Sequence, residues 1–373
     1  MPRQKSDLVR QLLIWYRHHA RDLPWRRTQD PYAIWISEVM LQQTQVKTVL
    51  PYWARWMSAL PTIEALANAP AERIHKLWEG LGYYTRVRNL QKAARHIMDH
   101  HGGVFPRNMD QVLALPGIGR YTAGAICSIA FDQPAPILDG NVVRVLTRHF
   151  GVTGNPKDKK TNRRLWELAG ELAGWASRMP GGSRTAQLNQ ALMELGALVC
   201  TPQHPQCGLC PAAGGCFAHR HHQVSKLPNL EKRPRAIPRR FAAFIVEHNG
   251  KFLVRQRPAG VVNAHLWEFP NIELAIPGAA LQKAARDVLG FRLGPLARLC
   301  QIRHSITRYR ICLDAFTVGS NHVIPANVAG EWLVPAALAK LPFPSAHRKI
   351  LEILREAGPP ATKHTKHTKQ TKR

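Results

Sequence analysis

From about Ser6 to Val199 apolar residues recur at helical spacing, interrupted by short turns rich in proline and glycine. Pro24, Pro31, Pro61, Pro70, Pro106 and Pro116 punctuate a run of short helices, so this part of the chain predicts an all-helical domain. Beyond Arg240 the period changes to two. Phe241–Glu247 and Lys251–Arg257 flank His248-Asn249-Gly250, a hairpin signal. Gln301–Val318 is rich in strand formers, and Ala346–Glu356 reads as a closing helix. Residues 241–358 therefore predict a smaller, mixed α/β domain. Between the two, residues 221–240 carry Pro228, Pro234 and Pro238 among basic residues and read as a stiff linker. The end repeats Thr-Lys-His from Thr362 and cannot build a core, so 359–373 reads as a disordered basic tail.

Charge adds a partner to this outline. Lys and Arg outnumber Asp and Glu by 52 to 24, a formal charge of +28. Residues 1–220 hold 27 basic and 15 acidic residues, and residues 221–373 hold 25 and 9. Such an excess repels itself unless a polyanion neutralises it, so nucleic acid contacting both halves is the expected partner. A merely basic soluble protein is the plainer alternative. No apolar stretch approaches a membrane span, and Met1-Pro-Arg-Gln-Lys does not open a signal peptide. With its clustered cysteines the chain is expected in a reducing cytosol, associated with the nucleoid.

Four of the seven cysteines lie within seventeen residues as Cys200-x6-Cys207-x2-Cys210-x5-Cys216. They are too crowded for two ordinary disulfides and read as one four-sulfur metal site. Zinc usually takes paired C-x2-C knuckles, and only Cys207 and Cys210 form one, so the spacing favours an iron–sulfur cluster. The quartet follows a helical run from Leu188 to Val199 with one acid, Glu194.

Three further segments carry chemistry. Pro116-Gly-Ile-Gly119, between two apolar helical runs, has the pattern of a helix–hairpin–helix. Its glycines, Gly117 and Gly119, admit a phosphate to the backbone N–H groups. Asp139, in Leu138-Asp-Gly-Asn141, ends an apolar segment before another helix, as an N-cap or as a carboxylate fixed at a cleft. Glu38 lies on an apolar helix face between Trp35 and Leu41. It is either a surface acid or a buried one whose pKa is raised by desolvation.

Taken in order, Leu23-Pro-Trp-Arg26, Ser37-Glu-Val-Met-Leu-Gln-Gln-Thr44, Gly80-Leu-Gly-Tyr-Tyr-Thr-Arg-Val-Arg-Asn89, the hairpin, Leu138-Asp-Gly-Asn141 and the cysteine quartet resemble the helix–hairpin–helix DNA glycosylases with an iron–sulfur cluster. Within them the chain is similar to adenine DNA glycosylases of the MutY type over residues 5–356. The resemblance implies a monomer that removes adenine opposite 8-oxoguanine or guanine in double-stranded DNA, with a [4Fe-4S] cluster on Cys200, Cys207, Cys210 and Cys216. Glu38 would protonate the departing base, and Asp139 would stabilise the oxocarbenium-like sugar. Tyr121 and Asn141 would support the two acids, and Arg26 and Glu194 would line the adenine pocket. Leu41, Gln42, Gln43, Thr44 and Tyr83 would hold the opened stack and the orphaned partner base.

Related glycosylases that also cleave the strand place a lysine where this chain has Tyr121, which implies a monofunctional enzyme. The C-terminal domain resembles a Nudix-like lesion reader. Lys283–Gly290 lacks the clustered glutamates of a hydrolytic Nudix box. At the lesion-reading loops the chain departs from the family, with Val261, Asn263 and His265 before Trp267, and Ile306-Thr307-Arg308 in place of Phe-Ser-His. The departure implies a weaker or differently built preference for 8-oxoguanine, with Thr307 and Arg308 as the remaining contacts. Two other readings stay open: a glycosylase-lyase for oxidised pyrimidines, and a non-catalytic DNA clamp.

Overall fold

Residues 31–41 form a helix with no polar side to give to water, and the first part of the fold is built around it. The chain is described by a computed structural model over residues 2–231, 234–274, 281–291, 293–319, 325 and 328–356. It divides into two units, Met1–Pro70 with Thr85–Arg233, and Ala71–Tyr84 with Pro234–Arg373. In chain order the helices of the first part are α1 (Pro2–His19), α2 (Pro31–Leu41), α3 (Val46–Ala59), α4 (Ile63–Asn68), α5 (Ala71–Leu77) and α6 (Thr85–His101). Then come α7 (Met109–Ala114), α8 (Arg120–Phe131), α9 (Gly140–Phe150), α10 (Lys159–Ser177), α11 (Arg184–Leu198) and α12 (Phe217–Arg220). Of these only α5 belongs to the second unit.

In the first unit α1, α9, α10 and α11 share one core through Leu8, Leu12, Leu146, Leu172, Leu188 and Leu192. Each such side chain contributes about 1.5–3 kcal/mol by burial. Helix α2 starts at Pro31, behind Asp30, whose carboxylate accepts the N–H groups of Tyr32 and Ala33 at 3.0 and 3.3 Å. Every residue from Tyr32 to Met40 is buried, which is the pattern of a core helix rather than an amphipathic one. Its open C-terminal carbonyls are closed by Arg86, whose Nη1 donates to the carbonyls of Val39, Met40 and Gln42. Helices α7 and α8 flank the hairpin. Gly117 has φ +78°, and a Cβ there would meet the Asn89 side chain at 2.5 Å, so only glycine fits.

The second unit holds two small sheets. One is ordered β5 (Asn271–Glu273), β1 (Ile237–Ile245), β7 (Tyr309–Val318), β6 (Leu296–Ile306), with β1 and β7 parallel and the other pairs antiparallel. The other joins β2 (Glu247–His248), β3 (Lys251–Gln256) and β4 (Trp267–Glu268), with β8 (Glu331–Leu333) also on β3. Asn249 and Gly250 have φ of 50° and 74°, as a tight two-residue hairpin turn requires. Helix α13 (Leu281–Leu289) packs with Phe244 and Phe316 in one core. Helix α15 (Ser345–Glu356), beyond the short α14 (Pro335–Leu338), packs with Ala243 and Leu313 in a second core.

Two boundaries read from the sequence need correction. The linker expected over 221–240 is shorter at both ends. Leu227 accepts Arg148 Nε at 2.9 Å and Asn229 donates to the Thr153 carbonyl at 3.1 Å, while β1 already includes Pro238. A parallel edge that pairs Pro238 with Arg310 outweighs the proline's break signal. The strand expected over Phe241–Glu247 is also divided: β1 pairs with β7, and only Glu247 and His248 form the hairpin with β3. The basic tail of 359–373 lies outside the described residues.

Candidate active site

A cavity of about 890 Å³ in the first unit gathers the sequence candidates from five places in the chain. Its walls include Glu38 and Leu41 from α2, with Gln42, Gln43 and Thr44 directly after it. Tyr121 comes from α8, Asp139 and Asn141 from the start of α9, Glu194 from α11, and Arg26 from the segment between α1 and α2. Gln43 has φ 59°, a turn that breaks α2 at the cavity rim.

Glu38 is 4% exposed. Burial raises its pKa to about 7; the Tyr121 hydroxyl and Arg26 pull it down, and the nearby Asp139 pushes it up. Tyr121 donates its hydroxyl to Glu38 Oε2 at 2.6 Å and lies 3.3 Å from Met193 Sδ. Burial and the two carboxylates hold the Tyr121 hydroxyl well above its ordinary pKa, so it stays a donor.

Asp139 combines the two roles its position suggested. Its Oδ1 caps α9 by accepting the Val142 N–H at 2.7 Å, and its Oδ2 accepts Asn141 Nδ2 at 3.0 Å. Burial raises its pKa, opposed by these hydrogen bonds and by Arg144. Asn141 is held in turn by Arg144, which donates from Nη2 to Asn141 Oδ1 and the Gly196 carbonyl, both at 2.7 Å, and from Nε to the Cys200 carbonyl at 2.7 Å. Gly196 allows this packing, since a Cβ there would meet Asn141 Cβ at 2.6 Å.

Glu194 is fully buried, yet its pKa is about 2. Burial alone would raise it; hydrogen bonds from Arg21 and Arg26 reverse the direction. Oε1 accepts the N–H and Nε of Arg21, and Oε2 accepts Nη2 of Arg21 and of Arg26, all at 2.7–2.9 Å. Both oxygens are therefore engaged by the two arginines.

The remaining candidates lie elsewhere. Tyr83 belongs to the second unit, is 48% exposed, and is not among the residues lining the cavity. Thr307 and Arg308 form the exposed β6–β7 turn. Thr307 Oγ1 donates to the Ile306 carbonyl at 2.8 Å, and Arg308 Nη2 donates to the Tyr309 hydroxyl at 3.1 Å. Gly119 precedes α8 with open space where a Cβ would point. The sequence reading missed Arg21 and Arg144. The only signals were spacings, Arg21 five residues before Arg26 and Arg144 one helical turn after Asn141.

Cys200, Cys207, Cys210 and Cys216 surround one small cavity of about 30 Å³ and form no disulfide. Among the described residues no three His, Cys, Asp or Glu side chains are arranged as a ligand set for a metal ion. Polar donors nevertheless point at the sulfurs. Arg148 Nη1 lies 3.3 Å from Cys200 Sγ, and backbone N–H groups of Ala212 and His219 favour the charged forms of Cys210 and Cys216. Burial and the crowding of the other sulfurs still push Cys210 up to about 11, so four thiolates need a cationic partner to coexist.

Comparison with known proteins agrees with this geometry. Residues 36–171 match the HhH-GPD superfamily base excision DNA repair protein, and residues 241–353 match the NUDIX domain. A solved thermostable thymine-DNA glycosylase has a TM-score of 0.53 and 31% identity, covering 59% of this chain and 98% of its own. These features define a helix–hairpin–helix glycosylase of base excision repair with a Nudix-like domain, a hydrolase of N-glycosyl bonds that acts on DNA. Adenine DNA glycosylase of Rattus norvegicus is 35% identical over 93% of this chain and 78% of its own length. That of Buchnera aphidicola subsp. Schizaphis graminum is 36% identical over 71% of this chain and 75% of its own. The chain belongs to the adenine DNA glycosylase family.

Proposed function

We propose that this protein excises adenine opposite 8-oxoguanine, and opposite guanine, as a monofunctional glycosylase that works as a monomer on double-stranded DNA. The observation that carries the reading is Glu38: buried, bonded to Tyr121, and titrating at about 7, it is a carboxylic acid available near neutral pH. Adenine leaves poorly as an anion, so Glu38 gives its proton to the ring as the N-glycosidic bond breaks. Asp139, aimed by Val142 and Asn141, stabilises the cationic sugar or adds to C1′ until water replaces it. Two carboxyl groups divide the labour, as in retaining glycosidases.

The adenine reaches the cavity only when flipped from the duplex, at a cost of a few kcal/mol. Leu41, Gln42, Gln43 and Thr44 fill the opened stack and hold the partner base; Tyr83, an exposed residue of the second unit, is a further contact to the DNA. Arg26 and Glu194 bound the adenine pocket. Gly117 and Gly119 bring backbone N–H groups to a phosphate; the open space beside Gly119 suits that approach. Thr307 and Arg308 contact the lesion through a hydroxyl and a guanidinium. Lys47 is the one lysine among the described residues that line the cavity, and it is exposed.

Cys200, Cys207, Cys210 and Cys216 would hold a [4Fe-4S] cluster through their thiolates, and the cluster would fasten the loop after α11. A cytosolic, nucleoid-associated location accords with thiolate ligands and a DNA substrate. No helix among the described residues is long and apolar enough to cross a membrane.

The test is single-turnover release of adenine from duplexes with adenine opposite 8-oxoguanine or guanine, quenched with and without alkali. Release from both, faster with 8-oxoguanine, with strand breakage only after alkali, is the expected result. No adenine release, or efficient borohydride trapping through an amine, overturns the reading. Colourless protein holding zinc overturns the cluster assignment.

A further inference from the structure

Strand register in the second unit brings four arginines to one face of the β5-β1-β7-β6 sheet. Residues paired across strands share a face, so Arg240, Cys312 and Arg303 form one row and Arg310 stands in the next, beside Ser305. Arg298 lies on the same face beyond Asp314. Rows are about 7 Å apart along a strand and neighbouring strands about 4.8 Å apart, so the four guanidinium groups share a single small surface.

Among the described residues the face carries one acid, and it is not a surface acid. Asp314 is 4% exposed and accepts Arg240 Nη2 at 3.0 Å, Arg298 Nη2 at 2.6 Å and Gln301 Nε2 at 2.9 Å. It fixes two guanidinium groups while leaving their side chains 46% and 54% exposed, and each guanidinium has further N–H donors beyond the one that Asp314 takes. Among the described residues Arg303 bonds only to the neutral Gln301 side chain, at 3.2 Å, and no carboxylate pairs with Arg310. A solvated sheet face normally sets opposite charges against each other, because like charges on neighbouring strands destabilise the sheet. Here the repulsion is kept, and a buried carboxylate is used to orient part of it.

We propose that this face binds the sugar–phosphate backbone of double-stranded DNA, a sequence-independent contact made by the second unit. Phosphodiesters match it in charge and in their capacity for forked arginine contacts, and an extended backbone matches several cations in successive rows. The inference rests on duplex DNA being the substrate. Its test uses undamaged duplex and no excision, so it can fail or succeed independently of the mispair reading.

The measurement is fluorescence anisotropy of the full chain on a short undamaged duplex, across a potassium chloride series. R303A/R310A is compared with the wild type and with K283A/R286A, which removes two charges from α13 of the same unit. Each phosphate that the protein no longer neutralises flattens the slope of log K against log salt by about 0.9, so R303A/R310A is expected to flatten it by about two. Affinity near physiological salt falls roughly thirty-fold on the same basis. K283A/R286A keeps the wild-type slope, and R303K/R310K, which restores charge without restoring shape, recovers most of it. Equal effects of the two alanine pairs overturn the proposal, as does failure of the lysine pair to recover the slope. Displacement of the duplex by millimolar dGTP from the wild type but not from R303A/R310A assigns the face to free nucleotides and overturns it as well.

Discussion

Glu38 and Glu194 line the same cavity, and both are buried, yet their acidities move in opposite directions. On the α2 wall, Glu38 faces apolar side chains, a neutral tyrosine hydroxyl and a second carboxylate, and its pKa rises to about 7. On the α11 wall, Glu194 meets two guanidinium groups, and its pKa falls to about 2. Desolvation opposes the charged form at both positions; the number of hydrogen bonds from cations decides which form survives. One carboxyl group thereby titrates near neutral pH, as the proposed proton donor must, and the other is kept as an anion that fixes Arg21 and Arg26.

The comparison breaks most completely at the proposed proton donor. Glu38→Gln removes the transferable proton, and Asp139→Asn removes the charge facing the sugar while its amide oxygen can still cap α9. Each is expected to slow single-turnover excision about a thousand-fold, within the usual range for general acid–base groups, with DNA affinity retained. Excision within ten-fold of wild type in either variant contradicts the division of roles. The next largest effect belongs to the opposite wall. Arg26→Gln leaves Glu194 with Arg21 alone, and losing one partner of a buried ion pair costs about 3 kcal/mol, read as a lower midpoint in urea at pH 7. The loss shrinks as pH falls through the lowered pKa of Glu194, because the carboxylate charge that Arg26 served disappears there.

The smallest effect sharpens the contrast instead of breaking it. Tyr121 donates to the Glu38 carboxylate and so favours its charged form. Tyr121→Phe therefore raises the Glu38 pKa further. Since the acid must be protonated to work, the alkaline limb of kcat/KM, near pH 7 in the wild type, moves up by about one unit. A limb that stays in place, or moves down, shows that another group sets it.

These walls were not equally legible in the sequence. Glu38 was visible as an acid on an apolar helix face, but a surface acid and a buried one were both open there; the burial of nine consecutive residues, set by tertiary packing, decides for the buried one. Asp139 was ambiguous for a good reason, since capping and chemistry use the same carboxylate. Arg21 and Arg144 escaped because an arginine in a chain with 52 basic residues carries no local mark of being paired, and their partners, Glu194 and Asn141, are fixed by tertiary packing. The helical and two-period halves were plain from periodicity. The start of β1 was not, because its first residues, Ile237 to Arg240, are exposed, hold a proline and two arginines, and owe their strand to pairing with β7, about seventy residues away.

Helix α2 has one more consequence, in time instead of energy. A helix buried on every side between Tyr32 and Met40 cannot fray into solvent, and Arg86 closes the end nearest the cavity. Its amide protons should therefore be among the slowest in the first unit to exchange with deuterium, released only when the whole unit opens. The Glu38 side chain, on the same helix, can meet water only through the cavity mouth. The backbone that carries the acid keeps the slow clock of global unfolding, while the proton it handles keeps the fast one of an open pocket.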